Sequence, residues 1–354
     1  MKIFEYRPNC GSFSLGFETF RQNEVVEVVN LAKNAEFAYN KTHKQWFLPN
    51  FSSIATYEPE NSFDLAIMNP NIGDNIAKKG KNNFRKQDLL DCLEFLRRIR
   101  PKFAVFPLEI SAVPLLNISD RYVRDANNQL SCDIIIESLQ KMGYDAYLCP
   151  VDVANYGIPT HREFAFYIAT PKDYHLKFPK GFFNAYGRGQ RNKFRTIADA
   201  LSDLDKLGEW VSYRAAPQNV YQRMIRRGME KVTWNFTSRR LTNSQVETIS
   251  HIPQGSNARK TDVVKQAAGY NRPFWNRICK PLHSDFYLAS SNGPSIHPIY
   301  DRPFTIREGC RLSGLPDTLS FDLKVSIKEV AKMIATAIPP AMGEIVSIAL
   351  RCIE

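Results

Sequence analysis

Asp64-Leu65-Ala66-Ile67-Met68-Asn69-Pro70-Asn71 is the stretch that decides how this chain is read. Residues 65–68 are an unbroken apolar run, and the polar Asn-Pro-Asn behind it cannot extend a strand ladder. A short apolar run of this kind is a strand buried on both faces that runs off its end into a loop. Upstream, Lys2–Tyr6 and Glu24–Val29 read as strands, each followed by an apolar-periodic helix, the second reaching about Tyr39. Phe63–Met68 is the third strand. Downstream, Gln87–Ile99 places Leu89, Leu90, Leu93, Leu96 and Ile99 on one helical face. Phe103–Pro107 is the next strand, and a helix over Asp133–Met142 leads to strands at Asp145–Val151 and Glu163–Ala169.

Strands alternating with helices imply an α/β fold, a mostly parallel sheet covered on both faces. Ligands of such sheets bind beyond the carboxyl ends of the strands. The turns at residues 7–12, 30, 53 and 69–75 are therefore expected to converge on one crevice. From about residue 172 to 300 the pattern breaks into short elements rich in proline, glycine and basic residues, which reads as a smaller domain. A helix from Ser326 to about Ala337 then stops at Pro339-Pro340, and an apolar segment closes the chain. The expected division is 1–171 with 318–354 as the large domain and 172–317 as the small one.

Composition narrows the class. A 354-residue chain with 44% hydrophobic and 12% aromatic residues has ample core and does not read as disordered. It has no signal-peptide architecture and no unbroken apolar run of spanning length, so a soluble cytoplasmic protein with no membrane partner is expected. Seven scattered cysteines without C-x-x-C pairs suit reduced core thiols, and the histidines lack metal-ligand spacing, so no metal is expected. The net charge of +11 points to a polyanionic partner. The cations concentrate in 188–240: Arg188, Arg191, Lys193, Arg195, Arg214, Arg223, Arg226, Arg227, Lys231, Arg239 and Arg240, interleaved with Tyr213, Tyr221, Trp234 and Phe236. Arginines bind phosphates or fork onto guanine, and aromatics stack. A solvated basic face over an ordinary core presents the same composition.

Five segments in order give the chain a resemblance to the DNA cytosine-5 methyltransferases. Cys10-Gly11-Ser12-Phe13-Ser14-Leu15-Gly16-Phe17-Glu18 resembles the first, cofactor-loop motif. Phe106-Pro107-Leu108-Glu109 is similar to the strand ending in Glu-Asn-Val, and Asn155-Tyr156-Gly157-Ile158-Pro159-Thr160-His161-Arg162-Glu163 to the N-Y-G-V-P-Q-x-R-E segment. His297-Pro298, Arg302-Pro303-Phe304-Thr305-Ile306-Arg307-Glu308, Arg311-Leu312 and Leu315-Pro316-Asp317 resemble the series that supports target recognition. Ala337-Ile338-Pro339-Pro340 is similar to the last motif.

This resemblance implies a Rossmann-like domain for S-adenosylmethionine and a small domain reading double-stranded DNA, with the target cytosine flipped out of the stack. It implies that Glu109 holds the N3 edge of the base and that Arg162 orients it. Asn9, Cys10, Gly11, Phe13, Asn30, Ser53, Ile54 and Asn69 take the cofactor positions, and Arg223, Arg226, Arg227, Arg239, Arg240, Arg259 and Lys260 are the candidate DNA contacts.

Where this sequence departs from the family, it departs at functional positions. Asn71 stands where the family has the cysteine whose thiolate attacks the base, and Ile72 replaces the adjoining glutamine. The F-x-G-x-G of the first motif reads Arg7-Pro8-Asn9-Cys10-Gly11, so a side chain replaces a glycine at Asn9. Asn30 replaces the acid for the ribose hydroxyls, unless Glu27 fills that role; Ser53 replaces the aspartate that meets the adenine. Phe164 replaces a second arginine, and Ala335-Thr336 a Gly-Asn. A lost covalent nucleophile costs many orders of magnitude in rate, and neither Asp74 nor Cys10 is a convincing substitute.

The expectation is a methyltransferase fold kept for DNA binding, catalytically deficient alone, and paired with an active methyltransferase in a modification or restriction–modification system. S-adenosylmethionine binding is in doubt on the same grounds. Two other readings remain open: an active methyltransferase with an atypical nucleophile, and a stand-alone sequence-specific DNA-binding regulator.

Overall fold

The computed structural model describes residues 1–49, 53–71, 86–110, 131–187, 192–204, 210–227, 229, 232–234, 241–257, 270–288 and 296–351. Six strands form one sheet: β1 (Lys2–Tyr6), β2 (Glu24–Val29), β3 (Leu65–Met68), β4 (Phe103–Glu109), β5 (Asp145–Asp152) and β6 (Glu163–Thr170), in the order β2-β1-β3-β4-β6-β5. β1, β2, β3 and β4 are parallel. β6 runs antiparallel to both β4 and β5. Tyr6 lies in register with Val29 on one side and Met68 on the other, so β1, β2 and β3 end level with one another. That alignment brings the turns after residues 6, 29 and 68 to one edge.

Each strand divides its side chains between two apolar layers with a period of two, as a sheet covered on both faces must. Ile3, Leu65, Ile67, Phe103, Val105, Phe164, Phe166 and Ile168 face one layer. Phe4, Tyr6, Ala66, Met68, Ala104, Phe106, Tyr167 and Ala169 face the other. The first layer is covered by α1 (Ser12–Glu18), α2 (Glu36–His43) and two C-terminal helices; the second by α3 (Lys86–Ile99) and α4 (Ser131–Lys141). On α3 the inward face is Leu89, Cys92, Leu93, Phe95 and Leu96, while Leu90, expected on that face, is exposed. The real stripe includes the i+3 positions Cys92 and Phe95, which a reading weighted to leucine passes over.

In the second half, α5 (Ile197–Leu201), α6 (Val220–Ile225), α7 (Asn243–Ser250) and α8 (Ile306–Leu312) are short. Ile197, Ala200, Leu201, Leu204, Tyr221 and Ile225 join the first core layer, whereas Ile249, Ile252 and Ile296 form a separate cluster. The chain closes with α9 (Ile327–Thr336) and α10 (Pro340–Arg351). The stretch Ile327–Arg351 has the length and hydropathy of a membrane span, yet 61% of its most apolar window is buried in the fold. It is core: α10 lies against α1 where Gly16 and Gly343 meet, and a Cβ on Gly16 would fall 1.9 Å from the Pro340 carbonyl oxygen. Only paired glycines allow that approach.

A buried ionic cluster fastens α5, α6 and α8 together. Arg311 donates to both carboxylate oxygens of Asp203 and to both of Asp317, and none of the three side chains is exposed. Arg226 donates to Asp203 (3.1 Å) and to the Ala215 carbonyl (2.8 Å), and Tyr213 donates its hydroxyl to Asp317 (2.8 Å). The cations Arg226 and Arg311 face the Tyr213 ring at 3.4 and 5.6 Å.

Candidate functional site

A cavity of about 370 Å³ opens beyond the carboxyl ends of β1, β2, β3 and β4. Five of its lining residues are asparagines: Asn9, Asn30, Asn34, Asn69 and Asn71. Arg7, Glu109, Phe164 and, from α9, Glu329, Lys332, Met333 and Thr336 are also in the wall. The expected convergence of the turns at 7–12, 30 and 69–71 is therefore present. Ser53 is exposed outside this lining, Ile54 is 1% exposed within the second core layer, and 72–75 lie outside the described residues.

The loop carrying Asn71 is fixed through Asp88 in the first turn of α3. One carboxylate oxygen accepts the Tyr6 hydroxyl at 2.6 Å, and the other accepts the Asn71 backbone N–H and lies 3.6 Å from Arg7. Burial first, and the Asp88 contact second, push the Tyr6 phenol well above its ordinary range, so Tyr6 stays protonated as a donor. Asn30 donates to the Tyr6 oxygen at 3.1 Å. Sequence reasoning did not single out Asp88; its place at the head of α3 carries no local signal of a loop 17 residues away.

Glu109 and Arg162 meet. The Arg162 guanidinium donates to Glu109 and to the Ala337 carbonyl, and lies 4.8 Å from the Phe164 ring centre. Glu109 ends β4 directly opposite Phe164 on β6, which sets the pair across the ladder. The turn before Arg162 is held by Asp152, which accepts from Ala154 N–H (3.0 Å), His161 Nδ1 (2.7 Å) and Arg162 N–H (3.2 Å). Phe164, where the resemblance implies a second arginine, gives Arg162 an aromatic face while Glu109 holds its guanidinium.

The cofactor positions divide. Asn9, Asn30 and Asn69 line the cavity, whereas Cys10 and Phe13 are buried in the first core layer. Gly11 adopts φ +74°, and a Cβ there would meet His43 Nε2 at 2.4 Å, so this glycine serves packing against α2. Glu27 is not the ribose acid: it is buried and accepts from Tyr57 (2.8 Å), Glu60 N–H (3.3 Å) and Asn61 (3.0 and 3.1 Å). Burial also pushes the Cys10 thiol up, and no cysteine among the described residues lines the cavity.

Among the candidate DNA contacts, Arg223 and Arg227 are exposed. Arg226 is a correction: it is 7% exposed and committed to Asp203, because α6 turns that side chain inward against Tyr213. Tyr221, read as a stacking candidate, is fully buried. Arg239, Arg240, Arg259 and Lys260 lie outside the described residues. In the 297–317 series, Arg302 grips Glu308 with two bonds of 2.8 and 2.7 Å, and His297 Nδ1 accepts the backbone N–H groups of Ile299 and Tyr300. Among the described residues no group of three or more His, Cys, Asp or Glu side chains is placed to hold a metal.

A family model described as C-5 cytosine-specific DNA methylase matches residues 1–352. The chain is 24% identical to the type II methyltransferase M.DdeI of Desulfomicrobium norvegicum, over 97% of this chain and 87% of that protein. It is also 24% identical to the type II methyltransferase M.NgoPII of Neisseria gonorrhoeae, over 99% and 95% of the two chains. Among solved structures it is similar to a DNA modification methyltransferase encoded within an E. coli prophage, with TM-score 0.73 and 16% identity over 99% of this chain and 98% of that one. The S. pombe Dnmt2 methyltransferase superposes with TM-score 0.63 at 13% identity, covering 99% and 98%.

Proposed function

This chain belongs to the C-5 cytosine-specific DNA methylase family, and from that premise we propose that it binds target DNA without performing the covalent chemistry itself. The observation that carries the reading is Asn71. It lines the same crevice as Glu109, and the family resemblance implies a cysteine at this position. Methylating C5 of cytosine requires a nucleophile to add at C6, which makes C5 electron-rich. A neutral carboxamide does not do this, and both Cys10 and the thiol nearest in sequence, Cys92, are buried and held protonated. Asp74 lies outside the described residues.

What remains is recognition. Glu109, held by Arg162, presents a carboxylate that accepts N–H donors from the edge of a flipped base. The exposed cations of 172–317, Arg223 and Arg227 among them, supply phosphate contacts. In this reading the chain is the recognition or accessory component of a modification system whose methyl transfer is done by an active partner methyltransferase.

The test uses the purified full chain. Fluorescence anisotropy with duplex DNA should show binding that weakens steeply between about 50 and 200 mM salt. Tritium transfer from S-adenosylmethionine to the same DNA should be absent with the chain alone, and an active methyltransferase of the same system should be stimulated by it. Methyl transfer by the chain alone, or no DNA binding at low salt, overturns the proposal.

A further inference from the structure

The family normally uses S-adenosylmethionine, and the crevice of about 370 Å³ has the size of a ligand pocket. Its chemistry does not match. The ligand carries a sulfonium cation and a ribose diol, both of which favour carboxylate partners. Neither lining carboxylate is left whole for it: Glu109 is paired with Arg162 at Oε1 and is assigned to the base edge in the proposed function, and Glu329 accepts from Ser326 at Oε2 in the capping box that starts α9. At the end of β2 the amide of Asn30 donates to Tyr6 in place of an acid.

Asn9 goes further, because its side chain joins the turn after β1 to α9 in the crevice wall. Its amide nitrogen donates to the Met333 carbonyl at 3.1 Å and to Thr336 Oγ1 at 3.0 Å, so both amide protons are spent on the last turn of α9. The Met333 carbonyl can only accept, which fixes which end of the amide faces it. Thr336 in turn donates its hydroxyl to the Lys332 carbonyl at 2.9 Å. The contact satisfies a helix-terminal carbonyl, so it stabilises the junction between this turn and α9. Asn9 has φ +56°, a conformation that glycine adopts freely and asparagine tolerates. The backbone of the glycine it replaces is thus retained, and only the space is filled. Asn9 and Thr336 are two departures from the family sequence, separated by 327 positions, that touch each other.

We propose that Asn9 and Thr336 form a latch across one end of the crevice that excludes S-adenosylmethionine. This inference rests on family membership and is independent of the reading of Asn71.

Calorimetric titration of the full chain with S-adenosylmethionine and with S-adenosylhomocysteine tests it without any activity readout. The wild type should give no saturable heat at micromolar ligand. Asn9→Gly, which keeps the backbone angle, should tighten binding by at least about tenfold. Asn30→Asp alone, which supplies the acid and leaves the latch closed, should not. Micromolar binding by the wild type overturns the latch while leaving the DNA-binding proposal standing. A folded Asn9→Gly protein, verified by circular dichroism and melting, that still binds neither ligand also overturns it. Binding restored by Asn30→Asp alone would assign the block to the missing acid.

Discussion

Asp203→Ala is expected to cost the fold about 3–5 kcal/mol, because it removes one of the two carboxylates that face three guanidiniums in a closed site. Arg311 would keep Asp317, through bonds of 3.1 and 2.6 Å. Arg226 would keep the Ala215 carbonyl and the face of Tyr213 but lose its ion pair with Asp203. The excess positive charge therefore falls mainly on Arg226. A chain of 354 residues with about 2.1 cal/mol/K of unfolding entropy per residue loses roughly 4–7 °C in Tm for that cost. That conversion assumes one cooperative unit, which the core layer shared by 3–168 and 197–225 supports. Differential scanning calorimetry reads the shift directly. The double variant Asp203→Ala/Arg226→Met also removes the cation that faced Asp203 and should recover about 1–3 kcal/mol of it. The salt dependence of DNA binding supplies the second arm: Arg226→Met should lower Tm and leave the slope of log K against log salt unchanged. An Asp203→Ala Tm within about 1 °C of wild type, or a reduced salt slope in a fully stable Arg226→Met protein, would refute the assignment of Arg226 to the interior.

Arg223→Ala and Arg227→Ala, at exposed positions, should each reduce that salt slope by about one, with Tm unchanged; an unaltered slope in both would remove α6 from the DNA interface. Acid should destabilise the chain in two overlapping windows. Burial lowers His297 to about 4, so between pH 6.5 and 4 the unfolded chain takes up a proton that the folded one refuses. The Arg302 and His297 charges, prevailing over burial, hold Glu308 at about 2, which extends the loss from pH 4.5 down to 2. In both windows the unfolded state binds more protons, so stability falls as pH falls, by about 3 kcal/mol from His297 alone. A flat Tm from pH 7 to 4 would contradict this. Asn71→Cys should gain release of tritium from C5 of cytosine in duplex DNA, an exchange that needs C6 addition but no methyl donor. The wild type should show none, and exchange by the wild type would mean that another nucleophile operates.

The strand runs 2–6 and 24–29, and 145–151 of the strand that ends at Asp152, were legible because each carries a local signal, apolar or alternating, bounded by turn residues. The crevice was legible for a related reason: parallel strands that end in register must bring their following loops together, whatever those loops contain. Glu27 and Arg226 were not legible. An acid within a strand and an arginine in a basic stretch look the same in sequence whether they face a ligand or the 57–61 turn and Asp203.

By itself, the sequence determined the family, the α/β order and the absence of cysteine at position 71. These depend on residue identity and on periods of two and 3.6, which need no knowledge of distant neighbours. Only the tertiary structure decided that Asn9 closes onto Thr336, that Glu109 is held by Arg162, and that Arg226 is interior. Each of those facts is a contact between residues 23 to 327 positions apart. Whether a polar side chain reaches solvent, a ligand or a buried partner is settled by which element lands opposite it.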